Sequence, residues 1–163
     1  LTFELAGKRV WVAGHKGMVG QALVRRLAAA DCQILTVDKA ALDLRRQDGV
    51  EAWMAANRPD AVFIAAARVG GIQANAARPG EFFYDNMAIA ANIIHGAHLT
   101  GVAKLMFLGS ACVYPRLCEQ PMPETALMTG PLEPTNEGYA MAKLGPSPCA
   151  PATAASTGTI SFR

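Results

Sequence analysis

The segment "KRVWVAGHKGMVG" limits what this chain can fold into more than any other stretch. A β-branched and apolar run from Lys8 to Ala13 reads as a buried strand. A helix is expected from Met18 to Ala30, because Val19, Ala22, Leu23 and Leu27 recur near helical spacing while Arg25 and Arg26 can face water. Between the two, Gly14, Gly17 and Gly20 follow a G-x-x-G-x-x-G spacing. The first glycine permits a tight turn, the second lets backbone approach a pyrophosphate, and the third lets helix pack closely on strand. The helix start then offers N–H groups and a partial positive charge to phosphates. In this strand-turn-helix setting the triad points to dinucleotide binding, with a purely structural turn as the plain alternative.

The pattern repeats downstream. "QILTVD" reads as a second strand, "VEAWMAANR" as a second helix closed by Pro59, and "AVFIAAA" as a third strand. That third run is continuous rather than alternating, as expected of a strand covered on both faces. "PGEFFYDNMAIAANIIHGAHLTG" is a long helix that can stop at Gly101, and "AKLMFLGS" is a fourth strand. Strict alternation predicts an α/β fold, a doubly wound parallel (Rossmann) sheet with right-handed crossovers. With 163 residues, 52% apolar and 17% charged, the chain has the size of one globular domain. Residues 115–138 hold five prolines, a loop too long to be a connector alone.

Composition excludes several roles. The net charge of +2 comes from scattered Lys and Arg without a basic run or aromatic platform, so nucleic acid is not an expected partner. No apolar stretch reaches membrane-spanning length and "LTFELAGKRV" lacks the order of a signal peptide, so the expected location is cytoplasmic. Cys32, Cys112, Cys118 and Cys149 form no C-x-x-C pair, and neither zinc nor a disulfide is expected. His95 and His98 stand three apart on the long helix with no carboxylate or cysteine placed to complete a metal site. Met87 and Phe82 to Tyr84 read as core or helix-packing residues. Arg68, after the third strand, could approach a ligand or simply be solvated.

The chemistry is concentrated late in the chain. "GSACVYP" puts Ser110 and Cys112 at the carboxyl edge of the sheet, where ligands of open α/β folds bind. In "YAMAK", Tyr139 and Lys143 lie one helical turn apart, so the ammonium can lower the phenol's pKa and reach a ribose hydroxyl. Such a phenol can pass a proton to or from a carbinol oxygen, and Ser110 could hydrogen-bond the same oxygen. Taken singly, a Tyr/Lys pair is a surface pair, a serine after a strand is a turn residue and Cys112 is a small buried hydrophobe. Their order and separation favour an enzyme. The expected cofactor contacts are Gly14, His15, Lys16, Gly17, Met18, Val19 and Gly20, together with Lys39, Leu108, Gly109 and Lys143. Asp38 at the end of the second strand favours the free 2′-hydroxyl of NAD, whereas Lys16 and Lys39 favour the 2′-phosphate of NADP, and the residues alone leave that choice open.

The strings "AGHKGMVG", "AAARVGGIQAN", "NIIHGAH", "FLGSACVYP" and "LEPTNEGYAMAK" together resemble the extended short-chain dehydrogenase/reductases and, more narrowly, the GDP-L-fucose synthase family within them. The resemblance implies conversion of GDP-4-keto-6-deoxy-mannose to GDP-L-fucose, by epimerisation at C3″ and C5″ followed by reduction of the 4-keto group with NADPH. It also implies that Cys112 is one member of the acid/base pair, with a histidine later in the family's chain as the other. By the same resemblance Tyr139 is the proton donor to C4″ oxygen, Ser110 orients the ketone, and Lys143 binds ribose. NADP becomes the expected cofactor, a GDP-sugar the expected partner, and a homodimer the expected assembly. Other enzymes of nucleotide-sugar epimerisation or dehydration, and a catalytically dead dinucleotide-binding module, are the competing readings.

The resemblance runs from about Lys8 to Leu144. Residues 1–144 are therefore expected to form an incomplete NADP-binding domain, and 145–163, rich in Pro, Ser, Ala and Thr, a tail outside the family pattern. One expected cause is a shift of reading frame just after Lys143, since a shifted reading of the tail can give a family-like "CYRRQHGHDFIS". On this expectation the fourth strand loses a neighbour, exposes an apolar edge liable to aggregate, and the chain is inactive.

Overall fold

In the first strand, β1 (Arg9–Ala13), side chains alternate between two apolar layers, and this decides the architecture. Trp11 and Ala13 face one layer with Val62, Ile64, Leu105 and Phe107, while Val10 and Val12 face the other with Leu27 and Ala61. A strand buried on both sides needs cover on both sides. Helix α1 (Met18–Leu27) covers one face, and α2 (Gln47–Asn57) with the long α4 (Pro79–Thr100) covers the other through Val50, Met54, Ala90, Ile93 and Ala97.

This computed structural model describes residues 3–146 and 157–160. Beside β1 lie β2 (Gln33–Leu35), β3 (Ala61–Ile64) and β4 (Lys104–Leu108), all parallel, in the order β2-β1-β3-β4. The order reverses at β1, so the connections that follow β1 and β3 lead to opposite faces of the sheet and leave a crevice past the carboxyl ends of these strands, the site at which such sheets bind ligands. The expected parallel, doubly wound sheet is therefore present.

The differences from expectation have local causes. β2 stops at Leu35 rather than Asp38, because its partner β1 turns away into the glycine loop two residues past the last pair, Trp11 with Leu35. α1 ends at Leu27, short of Ala30, and Asp31 takes a left-handed φ of 46° where the chain reverses. α2 ends on Arg58, itself left-handed, just before Pro59. The long helix stops at Gly101 with φ 71°, as its glycine suggested. A short helix not anticipated from the sequence, α3 (Ile72–Ala77), follows Gly71, with Asn75 Nδ2 donating to the carbonyls of Gly70 and Gly71. The proline-rich loop winds through two single-turn 3-10 helices, with a third over Ala111–Val113 just before it, and leads into α5 (Glu137–Leu144), which packs against α4.

Two expectations are corrected. β4 does not end the sheet: β5 (Thr157–Ile160) pairs with it in antiparallel register, Leu105 opposite Ile160 and Leu108 opposite Thr157, so its backbone edge is taken. Of the "FFY" triplet only Phe82 is buried, while Phe83 and Tyr84 are exposed because they fall on the outward side of α4. The expectation of a frame-shifted tail rests mainly on residues outside the described ones, as does Cys149.

Candidate active site

Backbone geometry in the first turn is set by what its glycines exclude. Gly14 has φ 88°, and a Cβ there would lie 2.5 Å from the Ala66 nitrogen at the end of β3. A Cβ on Gly20 would lie 2.1 Å from the Gly14 carbonyl oxygen, so α1 rests directly on the turn. A Cβ on Gly17, by contrast, would meet only Gly14 oxygen at 3.4 Å. This glycine is not needed for packing, and its bare Cα keeps the N-terminus of α1 open. The crevice beyond it is a cavity of about 420 Å³ lined by Gly14, His15, Lys16, Gly17, Val37 and Lys39, with the segment Ala65–Arg68 as its opposite wall. Met18 and Val19 are exposed and Gly20 is buried beneath the turn.

Charge in this crevice is already arranged. Asp38, just beyond β2, lies 2.7 Å from Lys16 Nζ and 3.3 Å from His15 Nε2, and the Lys16 hydrogen bond holds the carboxyl below its ordinary value. Deeper in, Asp85 of α4 is only 10% exposed and bridges two arginines, Arg45 Nη1 at 3.1 Å and Arg68 Nη1 at 2.7 Å. Burial pushes that carboxyl up, but the hydrogen bonds from Arg68 and Arg45 outweigh it and its pKa is lowered. Arg45 also grips Asp43, whose pKa falls to about 2, chiefly through that hydrogen bond. Arg68 reaches Glu81 and stacks over the Phe82 ring, so its partly exposed guanidinium is engaged by both of these as well as by Asp85. Asn86 then fixes the Arg68 backbone from both sides, accepting from its N–H and donating to its carbonyl. The sequence did not reveal this cluster: Arg45 and Asp85 stand 40 residues apart, and no local spacing couples them.

A second group of residues gathers at the carboxyl end of β4, outside the lining of that cavity. Gly109 leads from the strand to Ser110, whose Oγ accepts from the Cys112 N–H at 3.3 Å and thereby caps a 3-10 turn over Ala111–Val113. Asn136 Nδ2 donates to Cys112 Sγ at 3.2 Å, a contact with no precursor in sequence spacing. One turn into α5, burial raises the pKa of Tyr139 while a hydrogen bond with Ser110 lowers it, and the net shift is upward. Lys143 is buried to 4% exposure, donates from Nζ to the Leu108 carbonyl at 2.9 Å and sits 4.5 Å from the Phe107 ring centroid. Desolvation lowers its pKa to about 8. Ser110, Cys112, Tyr139 and Lys143 are thus brought together as expected, but the expected direction for the phenol is corrected. Burial dominates it, and the ammonium points at Leu108. Among the described residues no group of three His, Cys, Asp or Glu could hold a metal, and His95 faces Glu51 at 3.6 Å.

A model of the NAD dependent epimerase/dehydratase family matches residues 10–160. A GDP-L-fucose synthase from Sinorhizobium fredii is 55% identical over 142 residues, which are 87% of this chain and 45% of that protein. Among solved structures, a GDP-D-glycero-L-gluco-heptose synthase from Campylobacter jejuni, in the presence of NADPH, is 33% identical with a TM-score of 0.83, covering 86% of this chain and 42% of that one. A GDP-L-fucose synthetase from Naegleria fowleri bound to NADP is 28% identical with a TM-score of 0.76, covering 88% and 43%. The chain therefore spans less than half the length of these relatives.

The glycine geometry predicts opposite outcomes for two alanines. Gly20→Ala forces Cβ into the Gly14 carbonyl and is expected to lower unfolding stability by more than about 2 kcal/mol. Gly17→Ala should leave the urea midpoint nearly unchanged and weaken dinucleotide binding, and equal midpoints for the two variants would overturn this assignment of roles.

Lys143 predicts a pH dependence. The folded lysine loses its proton near pH 8 and the unfolded one near 10.5. The unfolded chain binds more protons between those values, so this group's contribution to stability rises with pH across that window and is least favourable below it. Urea unfolding at intervals from pH 7 to 10 should show this rise in the unaltered chain and its loss in Lys143→Met.

Proposed function

The chain belongs to the NAD dependent epimerase/dehydratase family, and from that premise we propose that it supplies the NADP-binding and reducing side of a GDP-L-fucose synthase-like epimerase/reductase. The observation that carries this reading is the joint presence of the open glycine turn and the Ser110, Cys112, Tyr139 and Lys143 cluster along one edge of the sheet.

The residues fit a dinucleotide. Gly17 leaves room against the α1 N-terminus for a pyrophosphate, and the cavity bounded by Val37, Lys39 and Leu42 suits an adenosine. Lys16 and Lys39 would hold a 2′-phosphate, and Lys143 a nicotinamide ribose. The bound cofactor would supply hydride to a sugar C4″.

The chain's own groups supply the protons. A phenol is protonated at neutral pH, burial of Tyr139 reinforces that state, and it can donate to a carbinol oxygen as negative charge develops there. Ser110 orients that oxygen from the neighbouring position. Cys112 takes a proton from a carbon next to the ketone: the C–H bond breaks, S–H forms, and the electron pair passes into the enolate. The substrate of this reading is a GDP-4-keto-6-deoxy sugar, the location cytoplasmic and the assembly a homodimer, with isomerase and oxidoreductase activities combined in the whole enzyme. On this reading residues 1–144 belong to its NADP domain, while the family match continues past them to residue 160.

Equilibrium titration of the purified chain with NADPH and NADH, followed by incubation with the GDP-4-keto-6-deoxy sugar, tests the reading. NADPH should bind without multiple turnovers of GDP-fucose; absence of NADPH binding sinks the reading, and sustained turnover sinks its prediction of inactivity.

Asp38 sharpens the same titration. Its carboxylate holds Lys16, a group that a 2′-phosphate would need. Asp38→Asn is expected to tighten NADPH binding about fivefold, the order of an exposed ion pair, without tightening NADH. A parallel change for both dinucleotides would remove Asp38 from any role in cofactor choice.

A further inference from the structure

We propose that Asn136 is the positioning residue of Cys112, its amide donating to the sulfur before proton transfer and accepting from the S–H after it. The proposal rests on the reading of Cys112 as an acid/base group.

Three observations converge on Asn136. It stands at the N-cap of α5, the position at which an asparagine side chain ordinarily accepts from a backbone N–H one turn on, yet it makes no capping hydrogen bond. Its Nδ2 is directed instead at Cys112 Sγ, 3.2 Å away. Its Oδ1 is buried and has no hydrogen-bond partner. A buried acceptor without a donor carries a desolvation penalty, and a purely structural asparagine at this position would avoid it by capping the helix.

The geometry suits a sulfur that changes protonation state. An N–H donor directed at sulfur stabilises a thiolate more than a thiol, because hydrogen bonds to charged acceptors are the stronger ones. Once the sulfur carries a proton it needs an acceptor. Turned over about its last side-chain bond, the same amide presents Oδ1 to that S–H. Ser110 holds the Cys112 backbone from the other side through its Oγ, so the sulfur sits between a fixed main chain and an amide able to serve either state. No other side chain is seen to hydrogen-bond this sulfur among the described residues.

Alkylation by iodoacetamide tests this without turnover. The rate at Cys112 is followed from pH 6 to 10 by peptide mass spectrometry, with Cys118 in the same sample as internal reference. Asn136→Ala should slow Cys112 about tenfold at pH 7 and move its profile to higher pH, leaving Cys118 unchanged. Asn136→Asp is the decisive variant, since Asp caps helices as well as Asn but places a negative charge beside the sulfur. It should slow Cys112 further than alanine does. If Asn136→Asp reacts like the unaltered chain, Asn136 serves the helix alone and the proposal is overturned. If Cys112 in the unaltered chain has the same profile as Cys118, the acid/base reading falls and takes the proposal with it. If the two profiles differ and neither substitution moves that of Cys112, the assignment of Asn136 alone fails.

Discussion

The contact between Gly20 and the Gly14 carbonyl is the constraint from which the binding side follows. With a Cβ 2.1 Å from that oxygen excluded, α1 approaches β1 as closely as backbone allows. That closeness aims the helix start at the crevice past the ends of β1 and β3, where strand order reverses. The Cα of Gly14 similarly rests on the Ala65–Ala66 backbone, so turn, helix and third strand meet through main chain alone.

Periodicity and punctuation made most of the fold legible. Runs such as "VWVA" and "AVFI" are apolar at successive positions because both faces of each strand are covered, and Gly101 ends the long helix in the left-handed conformation its residue type allows. What escaped depended on partners distant in sequence. β2 is short because β1 curves away, a property of the pair that the "QILTVD" string does not carry. α3 is held by a side chain bonding to carbonyls four and five residues back, in a stretch with no apolar period. The occupant of the β4 edge came from four residues of a segment whose composition argued against regular structure.

The same division runs through the site. The placement of Gly14, Gly17, Gly20, Ser110, Tyr139 and Lys143 was legible because motif spacing sets it. The state of Tyr139 was not: the i, i+4 spacing suggested an ammonium beside a phenol, whereas Lys143 is drawn to the Leu108 carbonyl and burial governs both groups. Asn136 reads in sequence as an ordinary helix start. Only the fold brings Cys112, 24 residues earlier, within reach of its amide.

The pairing of Asp85 with Arg45 and Arg68 has a consequence for association. It joins the loop after Leu44, the loop after β3 and α4 into one wall of the cavity, with both cations sharing a mostly buried carboxylate and each held by a second one, Asp43 or Glu81. A wall tied this way is in place before anything binds, so an incoming nucleotide need not immobilise the loops itself and less of its interaction energy is spent on ordering. That side of the crevice is a preformed mould, set against the exposed Lys16 and Asp38 on the other side.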